Sequence, residues 1–337
     1  MLAEAFPRLA IRLRSTFPDA RISISKEVLR VNFPAFPAWE VEVKAAPSPS
    51  SVQGVESDQY QIIQSKITLT YDCLKKVSDI DFHRLIAAEN LGLRGATLVP
   101  ETDWGNRAIS LRSSFIGQKG RTRDEAENLA IDTLSLLRFA RLLEDRILRS
   151  VAGMTFSYEM YYSQYLSKSI GRNRFINYAR SIFQGSTERV FGQVTNMLKD
   201  DYKYKVNTTR SFVATINPPA SALTIILRVP EEIPMLTVSC ALHVAAWEPD
   251  KSFELVARLN SMISMGHFEV NADGSLISFV TWKHLTNDLR YYALDQMIAA
   301  VHAAERLLVA ELPAWKPLSA ETLTANASSL DAYRSAA

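Results

Sequence analysis

The hydrophobic residues of the first half of the chain change from a helical spacing to an alternating one. Between Leu2 and Phe17 they recur at helical spacing among arginines, which predicts a short amphipathic helix ending near Pro18. The pattern then alternates with a period of two, and this predicts three strands. The alternating residues are Ile22, Ile24, Val28 and Val31, then Trp39, Val41 and Val43, then Ile63, Ile67, Leu69 and Tyr71.

A helix, a hairpin and a second helix follow these strands. Asp79 or Asp81 is the predicted cap of a helix running to about Leu91. Residues 96–99 and 108–113 are predicted to pair around a turn rich in polar residues and glycine. A long helix is predicted over residues 121–149. Its apolar stripe is formed by Ala126, Leu129, Thr133, Leu136, Leu137, Ala140, Leu143 and Ile147.

The second half shows the same order of patterns. A leading helix is predicted at 191–198, followed by strands at 202–206, 212–216, 223–229 and 236–244 and a helix at 253–265. Asp273-Gly274 predicts a tight hairpin turn between strands at 267–270 and 276–282, because these residue types accept positive φ angles. A final amphipathic helix is predicted at 288–312, before Pro313.

Matching residues in the two halves indicate an internal repeat. Leu85, Ile86, Ala87 and Asn90 match Leu255, Val256, Ala257 and Asn260 at an offset of 170 (260 − 90), and Arg141-Leu142-Leu143 match Arg306-Leu307-Leu308 at an offset of 165 (306 − 141). The predicted fold is α+β, with two tandem domains at 1–149 and 184–313. Each is an antiparallel sheet packed against helices with a long C-terminal helix. A helical connector at 150–183 joins them, and a small, polar tail at 314–337 is predicted to be disordered.

The second half also resembles a known family. The helix that ends at Leu259-Asn260, the hairpin FEVNADGSLISFVTW and the long closing helix are similar to the C-terminal half of YbjN-like domains, which share the type III secretion chaperone-like fold. The first half resembles it through the repeat. The resemblance implies an antiparallel sheet packed on helices and a protein that binds other proteins without catalysis. It also implies an internal pseudo-dimer, in a monomer or a homodimer.

Composition narrows the possible classes of function. The 38 basic and 36 acidic residues give a net charge of +2, so the chain lacks an overall signature for binding polyanions. The two cysteines, Cys73 and Cys240, form no CxxC pair and are predicted to be free thiols in the core. Charged residues interrupt the N-terminal segment, and no stretch reaches the ~20 apolar residues of a membrane span. These features predict a cytoplasmic protein with no membrane span.

No motif in the sequence points to catalysis. The five histidines show no HxxxH, HExxH or Cys-His spacing, so no metal is predicted, and His243 and His302 are interpreted as structural. There is no GxSxG elbow. Residues 117–122 resemble a phosphate loop but lack the GxxxxGK[ST] spacing, and a polar loop is predicted there. The chain is therefore predicted to be no enzyme and to have no cofactor.

The connector has the most unusual composition in the chain. Residues 150–184 contain five tyrosines and four basic side chains against a single acidic one, Glu159. Three interpretations remain open: packing of the tyrosines onto the domains, a protein-binding hot spot, or stacking and phosphate contacts with a nucleic acid. The candidate partner-binding residues are Tyr158, Tyr161, Tyr162, Tyr165, Arg172 and Arg174.

The predicted function is that of a non-enzymatic, chaperone-like or adaptor protein that binds an unidentified protein partner. The alternative is a nucleic-acid-associated regulator that uses the basic connector, for which the affinity should fall steeply with salt. An enzyme with a dispersed site is a third hypothesis.

Overall fold

The chain forms two compact units, each built on an antiparallel sheet. Residues Met1–Ile86 and Ala96–Ser157 make up the first unit, and Ala87–Gly95 and Tyr158–Ala337 make up the second. The computed structural model describes residues 2–34, 39–46, 60–90, 93, 95–103, 106–118, 129, 133, 136–137, 140, 143, 187–199, 204–207, 211–216, 225–230, 235–243, 249–271, 274, 276–284, 291–311 and 316–317.

The sheet of the first unit has six strands in the order β1-β2-β3-β4-β6-β5, and all of its pairs are antiparallel. Its elements are α1 (Leu2–Thr16), β1 (Arg21–Ile24), β2 (Val28–Asn32), β3 (Trp39–Ala46), β4 (Tyr60–Thr70), the 3-10 helix η1 (Asp72–Lys76), α2 (Asp79–Asn90), β5 (Thr97–Asp103) and β6 (Asn106–Gln118).

The first predicted strand is in fact two strands. The residues between β1 and β2 form a turn in which Ser25 is the organising side chain. The Ser25 backbone N–H donates to the Val28 carbonyl at 2.8 Å, and the Val28 N–H donates to the Ser25 hydroxyl at 3.0 Å. Because a serine hydroxyl can replace a backbone partner in a turn, the chain reverses where the alternation of apolar residues suggests no break.

The cap of α2 also differs from the prediction. Ser78, and not Asp79 or Asp81, caps the helix, since the Asp81 N–H donates to the Ser78 hydroxyl at 3.2 Å. The Ser78 hydroxyl in turn donates to the Asp81 carboxylate at 2.6 Å. The serine hydroxyl thus satisfies one of the free N–H groups of the first turn, and the Asp81 carboxylate holds that hydroxyl in place.

One face of the first sheet forms the apolar core. The α1 residues Phe6, Leu9 and Leu13 recur at helical spacing and are fully buried. Six residues of the stripe predicted for the helix at 121–149 are helical and buried. They are Leu129, Thr133, Leu136, Leu137, Ala140 and Leu143.

Ser65 and Thr133 form a hydroxyl pair within this core, 3.0 Å apart and both buried. We expect Ser65→Ala or Thr133→Ala to lower the free energy of unfolding by about 1–2 kcal/mol, because each leaves a buried hydroxyl without this partner. The double variant should cost less than the sum of the two. A double-mutant cycle by urea unfolding measures this coupling, and additive losses would contradict it.

The sheet of the second unit follows the order β11-β12-β10-β9-β8-β7, again with antiparallel pairs. Its elements are α3 (Thr187–Leu198), β7 (Tyr204–Asn207), β8 (Ser211–Ile216), β9 (Ile225–Pro230), β10 (Met235–His243), α4 (Pro249–Met262), β11 (His267–Val270), β12 (Leu276–His284), α5 (Tyr291–Glu311) and the two-residue β13 (Lys316–Pro317). α4 packs on β11, and α5 packs on β10 and β12.

The hairpin predicted around Asp273-Gly274 is present. β11 and β12 pair in register, with Phe268 opposite Phe279. At the turn Gly274 has a φ of 74°, and its N–H donates to the Asn271 carbonyl at 3.0 Å. α4 begins at Pro249, four residues before its predicted start. Proline is accepted at the first position of a helix because the N–H that it lacks has no partner within the helix there.

The two sheets have the same topology. In chain order, each unit has a helix, four strands, a second helix and two further strands. In both sheets the sixth of these strands lies between the fourth and the fifth. The short β13 is additional, and it pairs with the end of β10. Its residues, Lys316 and Pro317, lie in the tail that the sequence predicts to be disordered, and they are the part of that tail that the structure describes.

Candidate binding face and buried polar clusters

The second face of the first sheet carries a row of charged residues. Arg30, Glu42, Lys66 and Arg112 lie directly opposite one another on β2, β3, β4 and β6. Strand alternation places these side chains on the face opposite the core. We call this group, together with Lys44 and Glu101, the charged ladder.

Ion pairs link neighbouring members of the ladder. The Glu42 carboxylate lies 3.1 Å from the Arg30 guanidinium and 2.6 Å from the Lys44 ammonium. Lys66 and Arg112 are like charges in opposite positions, an arrangement that is unfavourable without a counter-ion. Glu101 supplies it, at 2.9 Å from Lys66 and 2.6 Å from Arg112.

The surroundings of Glu101 strongly favour its ionised form. Burial alone would raise its pKa, but hydrogen bonds from Ser110, Lys66 and Arg112 outweigh burial and hold the pKa at about 2. At Glu42 burial acts in the same direction, and the partners Lys44 and Arg30 outweigh it, so that the pKa of Glu42 is also lowered. Both carboxylates are therefore charged at neutral pH.

The low pKa of Glu101 predicts how stability depends on pH. The folded-state pKa of about 2 lies below the ordinary 4.5, so the ionised cluster stabilises the fold at neutral pH. This contribution, on the order of 3 kcal/mol at about 1.4 kcal/mol per pKa unit, is lost as the pH falls from about 5 to about 2. Glu101→Gln should lower stability at neutral pH and flatten its dependence on pH across that window.

Urea unfolding at several pH values measures this effect. Glu40→Gln is the matched control, because Glu40 is an exposed carboxylate of the same sheet. Equal slopes for the wild type and Glu101→Gln between about pH 5 and pH 2 would contradict the assignment of the stabilising cluster to Glu101.

A second polar cluster lies on the edge strand β11. His267 and Glu269 stand two residues apart, so they share one face of the strand, and both are fully buried. The His267 Nε2 atom lies 3.2 Å from Glu269 Oε1, and the Ser278 hydroxyl donates to Glu269 Oε2 at 3.4 Å. The ring of Trp282 lies 5.1 Å from that of His267. Buried polar groups with such partners make a sheet specific to one register.

This cluster contains the serine, histidine and carboxylate of a hydrolase triad, but its side chains contact one another in a different order. In a triad the serine hydroxyl bonds to histidine, which the carboxylate orients. Here Glu269 occupies the middle position: it accepts a hydrogen bond from Ser278 and contacts His267, so these contacts do not place the imidazole on the serine hydroxyl as a triad does. The arrangement is that of a structural network.

The cysteines do not form a nucleophilic site in the described structure. Cys240 is buried as predicted, and burial raises the pKa of its thiol to about 12. Cys73 was predicted to lie in the core but is only half-buried, because it stands on η1 beside the buried Leu74. Burial also raises the pKa of the Cys73 thiol. Neither group is a thiolate at neutral pH, the form required for attack.

The histidines occupy the elements predicted for them. His243 lies in β10 and His302 on α5, where its Nδ1 is 3.5 Å from Glu305. Across the residues the structure describes, no three His, Cys, Asp or Glu side chains are grouped to hold a metal ion. Of the loop predicted at 117–122, Gly117 and Gln118 instead continue β6 and pair with β4, and residues 119–122 lie outside the described residues.

The candidate residues of the connector lie outside the described residues. Tyr158, Tyr161, Tyr162, Tyr165, Arg172 and Arg174 therefore remain a prediction. The sequence interpretation missed the charged ladder and the His267–Glu269 pair. The sequence contained a signal for both, because charged residues at every second position of a strand lie on the same face of the sheet.

Comparisons with known proteins identify no relative. No protein-family model matches the chain, and no curated protein or solved structure matches it either. In the helices that the structure describes, no segment is both long enough and apolar enough to cross a membrane.

Proposed function

We propose that this protein acts without catalysis, as a chaperone-like or adaptor protein that holds a protein partner. The observation that carries the proposal is the charged ladder on the face of the first sheet opposite its core. At the β2–β3 end of the ladder Arg30 and Lys44 are 54% and 46% exposed, whereas Glu42 between them is 19% exposed. Two exposed cations around a held carboxylate form a fixed charge pattern, which favours selection among protein surfaces.

The ladder is less suited to a nucleic acid. Phosphate binding requires cations whose charge is available to the backbone, and it releases counter-ions from the nucleic acid. In the ladder each of the four basic side chains contacts one of two carboxylates, Glu42 or Glu101, so every cation already has an anionic partner although the group keeps a net charge of +2 (4 − 2). The mixed signs favour a protein partner at this face.

Internal duplication supports the tandem arrangement of the proposal. The identical strand order of the two sheets agrees with it. In the leading helices, Phe6, Leu9 and Leu13 of α1 match Phe191, Val194 and Leu198 of α3 at one offset of 185 (191 − 6), and all six are buried. The YbjN-like resemblance belongs to the same proposal, as does the pseudo-dimer formed by two domains of one chain.

Affinity purification with a charge-reversed variant tests the function. The tagged wild type should retain a specific protein after nuclease treatment, and Arg30→Glu with Lys44→Glu should lose it, because the ladder then carries three adjacent negative charges. Thr68→Ser, on the same face, is the control and should retain the partner. Loss of all bound protein on nuclease treatment, or equal capture by the charge-reversed variant, would overturn the proposal.

A further inference from the structure

The outward side of α1 combines exposed positive charge with an exposed apolar side chain. Ile11 is 65% exposed, the highest value among the large hydrophobic residues that the structure describes as exposed. Arg8, Arg12 and Arg14 surround it on the helix and are also exposed. Glu4 is the only acidic residue of α1. Single exposed hydrophobic residues are common on protein surfaces, so the exposure of Ile11 does not by itself indicate a binding site.

The second unit supplies a comparison. At the offset of 185 that aligns the buried residues of the leading helices, Ile11 corresponds to Asn196 of α3 (196 − 11), which is also exposed. Arg8 corresponds to Gln193, Arg12 to Met197 and Arg14 to Lys199. The fold therefore accepts a polar residue at the position of Ile11 and an uncharged one at that of Arg8, whereas a cation recurs at the position of Arg14. An exposed isoleucine with a cation on each side is specific to the first unit.

From this difference we infer that the outward side of α1 is a docking surface for an acidic amphipathic helix of a protein partner. The inference rests on the proposed function and specifies the partner's chemistry. Arg8 and Arg14 stand three residues before and after Ile11 on the exposed side of the helix, so they match two carboxylates placed in the same way about an apolar residue of a partner helix. Ile11 lies between them and offers the apolar contact at the centre of the interface, where burial contributes most to affinity.

Charge complementarity and the apolar centre favour this partner over other anionic ones. A membrane-bound helix lays a broad apolar face into the lipid. On α1 the apolar face, with Phe6, Leu9 and Leu13, is buried in the first unit instead. A nucleic acid would use the arginines but would gain little from Ile11, since its recognition relies on phosphate contacts and on aromatic stacking. A carboxylate-bearing helix uses both features.

A synthetic helical peptide tests the inference. The probe carries a leucine flanked by glutamates one turn before and after it, and fluorescence anisotropy measures its affinity for the full-length chain. Two control peptides replace the glutamates by lysine or the leucine by serine. Binding of the acidic peptide, with both controls weaker by roughly tenfold, is the expected result. Equal binding of the acidic and lysine peptides, or no binding of the acidic peptide, would overturn the inference.

Variants of the chain locate the site. Ile11→Asn should weaken binding of the acidic peptide by roughly tenfold. Arg8→Gln with Arg14→Gln should weaken it and reduce its dependence on salt. Asn196→Ala, at the matching position of the second unit, should leave the affinity unchanged. Ile11→Asn binding as tightly as the wild type would overturn the inference.

Two further probes test whether α1 binds a membrane or a nucleic acid instead. Vesicles of phosphatidylcholine with phosphatidylserine, and a single-stranded oligonucleotide, should bind weakly and without dependence on Ile11. Tighter binding of either one than of the acidic peptide would overturn the inference. The charged-ladder variant, Arg30→Glu with Lys44→Glu, should still bind the peptide, whereas Ile11→Asn should not. This pair of results separates the α1 site from the charged ladder. Failure of the peptide alone leaves the partner captured through the ladder, and so the proposed function, in place.

Discussion

Gly266→Ala is expected to lower the free energy of unfolding by about 3–5 kcal/mol, the range for overpacking in a strained position. Gly266 has a φ of 73°, which disfavours any residue with a Cβ atom. A Cβ at this position would lie 2.4 Å from the Val280 carbonyl oxygen and 2.8 Å from the Phe279 ring. The carbonyl belongs to the paired strand β12, so it cannot move without disturbing the sheet.

The matched control for this substitution is Gly192→Ala. Gly192 lies within α3, and a Cβ built there meets no atom within 4 Å. Alanine should therefore stabilise the helix by roughly 0.5–1 kcal/mol. Urea unfolding followed by far-ultraviolet circular dichroism measures both variants. A loss of less than about 1 kcal/mol in Gly266→Ala would show that the close approach to β12 is relieved without cost.

Asn260→Ala is expected to cost about 2–4 kcal/mol, because it removes two hydrogen bonds in a buried site. The Asn260 amide donates to the Phe268 carbonyl at 3.0 Å and accepts from the Phe268 N–H at 2.6 Å. These are the contacts that a neighbouring strand would make with the edge of β11. The side chain therefore closes a sheet edge that would otherwise present a free donor and acceptor.

A second substitution at this position separates the two bonds. Asn260→Asp keeps an acceptor for the Phe268 N–H but turns a carboxylate oxygen toward the Phe268 carbonyl at neutral pH. We expect it to be destabilised at neutral pH and to recover part of the loss in acid, where the protonated carboxyl can donate. Asn196→Ala, at an exposed position of α3, is the control for loss of an amide. Equal stability of Asn260→Ala and the wild type would contradict the role of the amide pair.

Local patterns were sufficient to predict most of the elements. The apolar residues Phe6, Leu9, Ile11 and Leu13 predicted α1, although Ile11 is exposed and not part of its buried face. Asp273-Gly274 predicted the hairpin of β11 and β12. Both signals act over a few neighbouring residues. The turn at Ser25 was missed because a serine hydroxyl, and not glycine or proline, completes it. Ser78 was missed as a cap because two aspartates immediately follow it.

Long-range contacts determined what sequence patterns could not predict. The insertion of β6 between β4 and β5 depends on pairing across α2, which no local spacing specifies. Burial of His267 and Glu269 was not expected, since ionisable residues are seldom buried unless they have partners. The partners of Glu101 come from β4 and β6, so its low pKa could be understood only after the strands were placed.

The shared strand order has a consequence for synthesis on the ribosome. β4 is the end of a four-stranded ribbon until residues 71–118 have emerged and β6 can pair with it. Its partner-facing edge, from Tyr60 to Thr70, is long and carries Ile62, Ile63 and Ile67, features that favour pairing with other chains. The same interval recurs between β10 and β12 in the second unit. The nascent chain thus passes twice through a stage at which a long strand edge is unpaired, and slow translation across α2 or α4 would lengthen that stage.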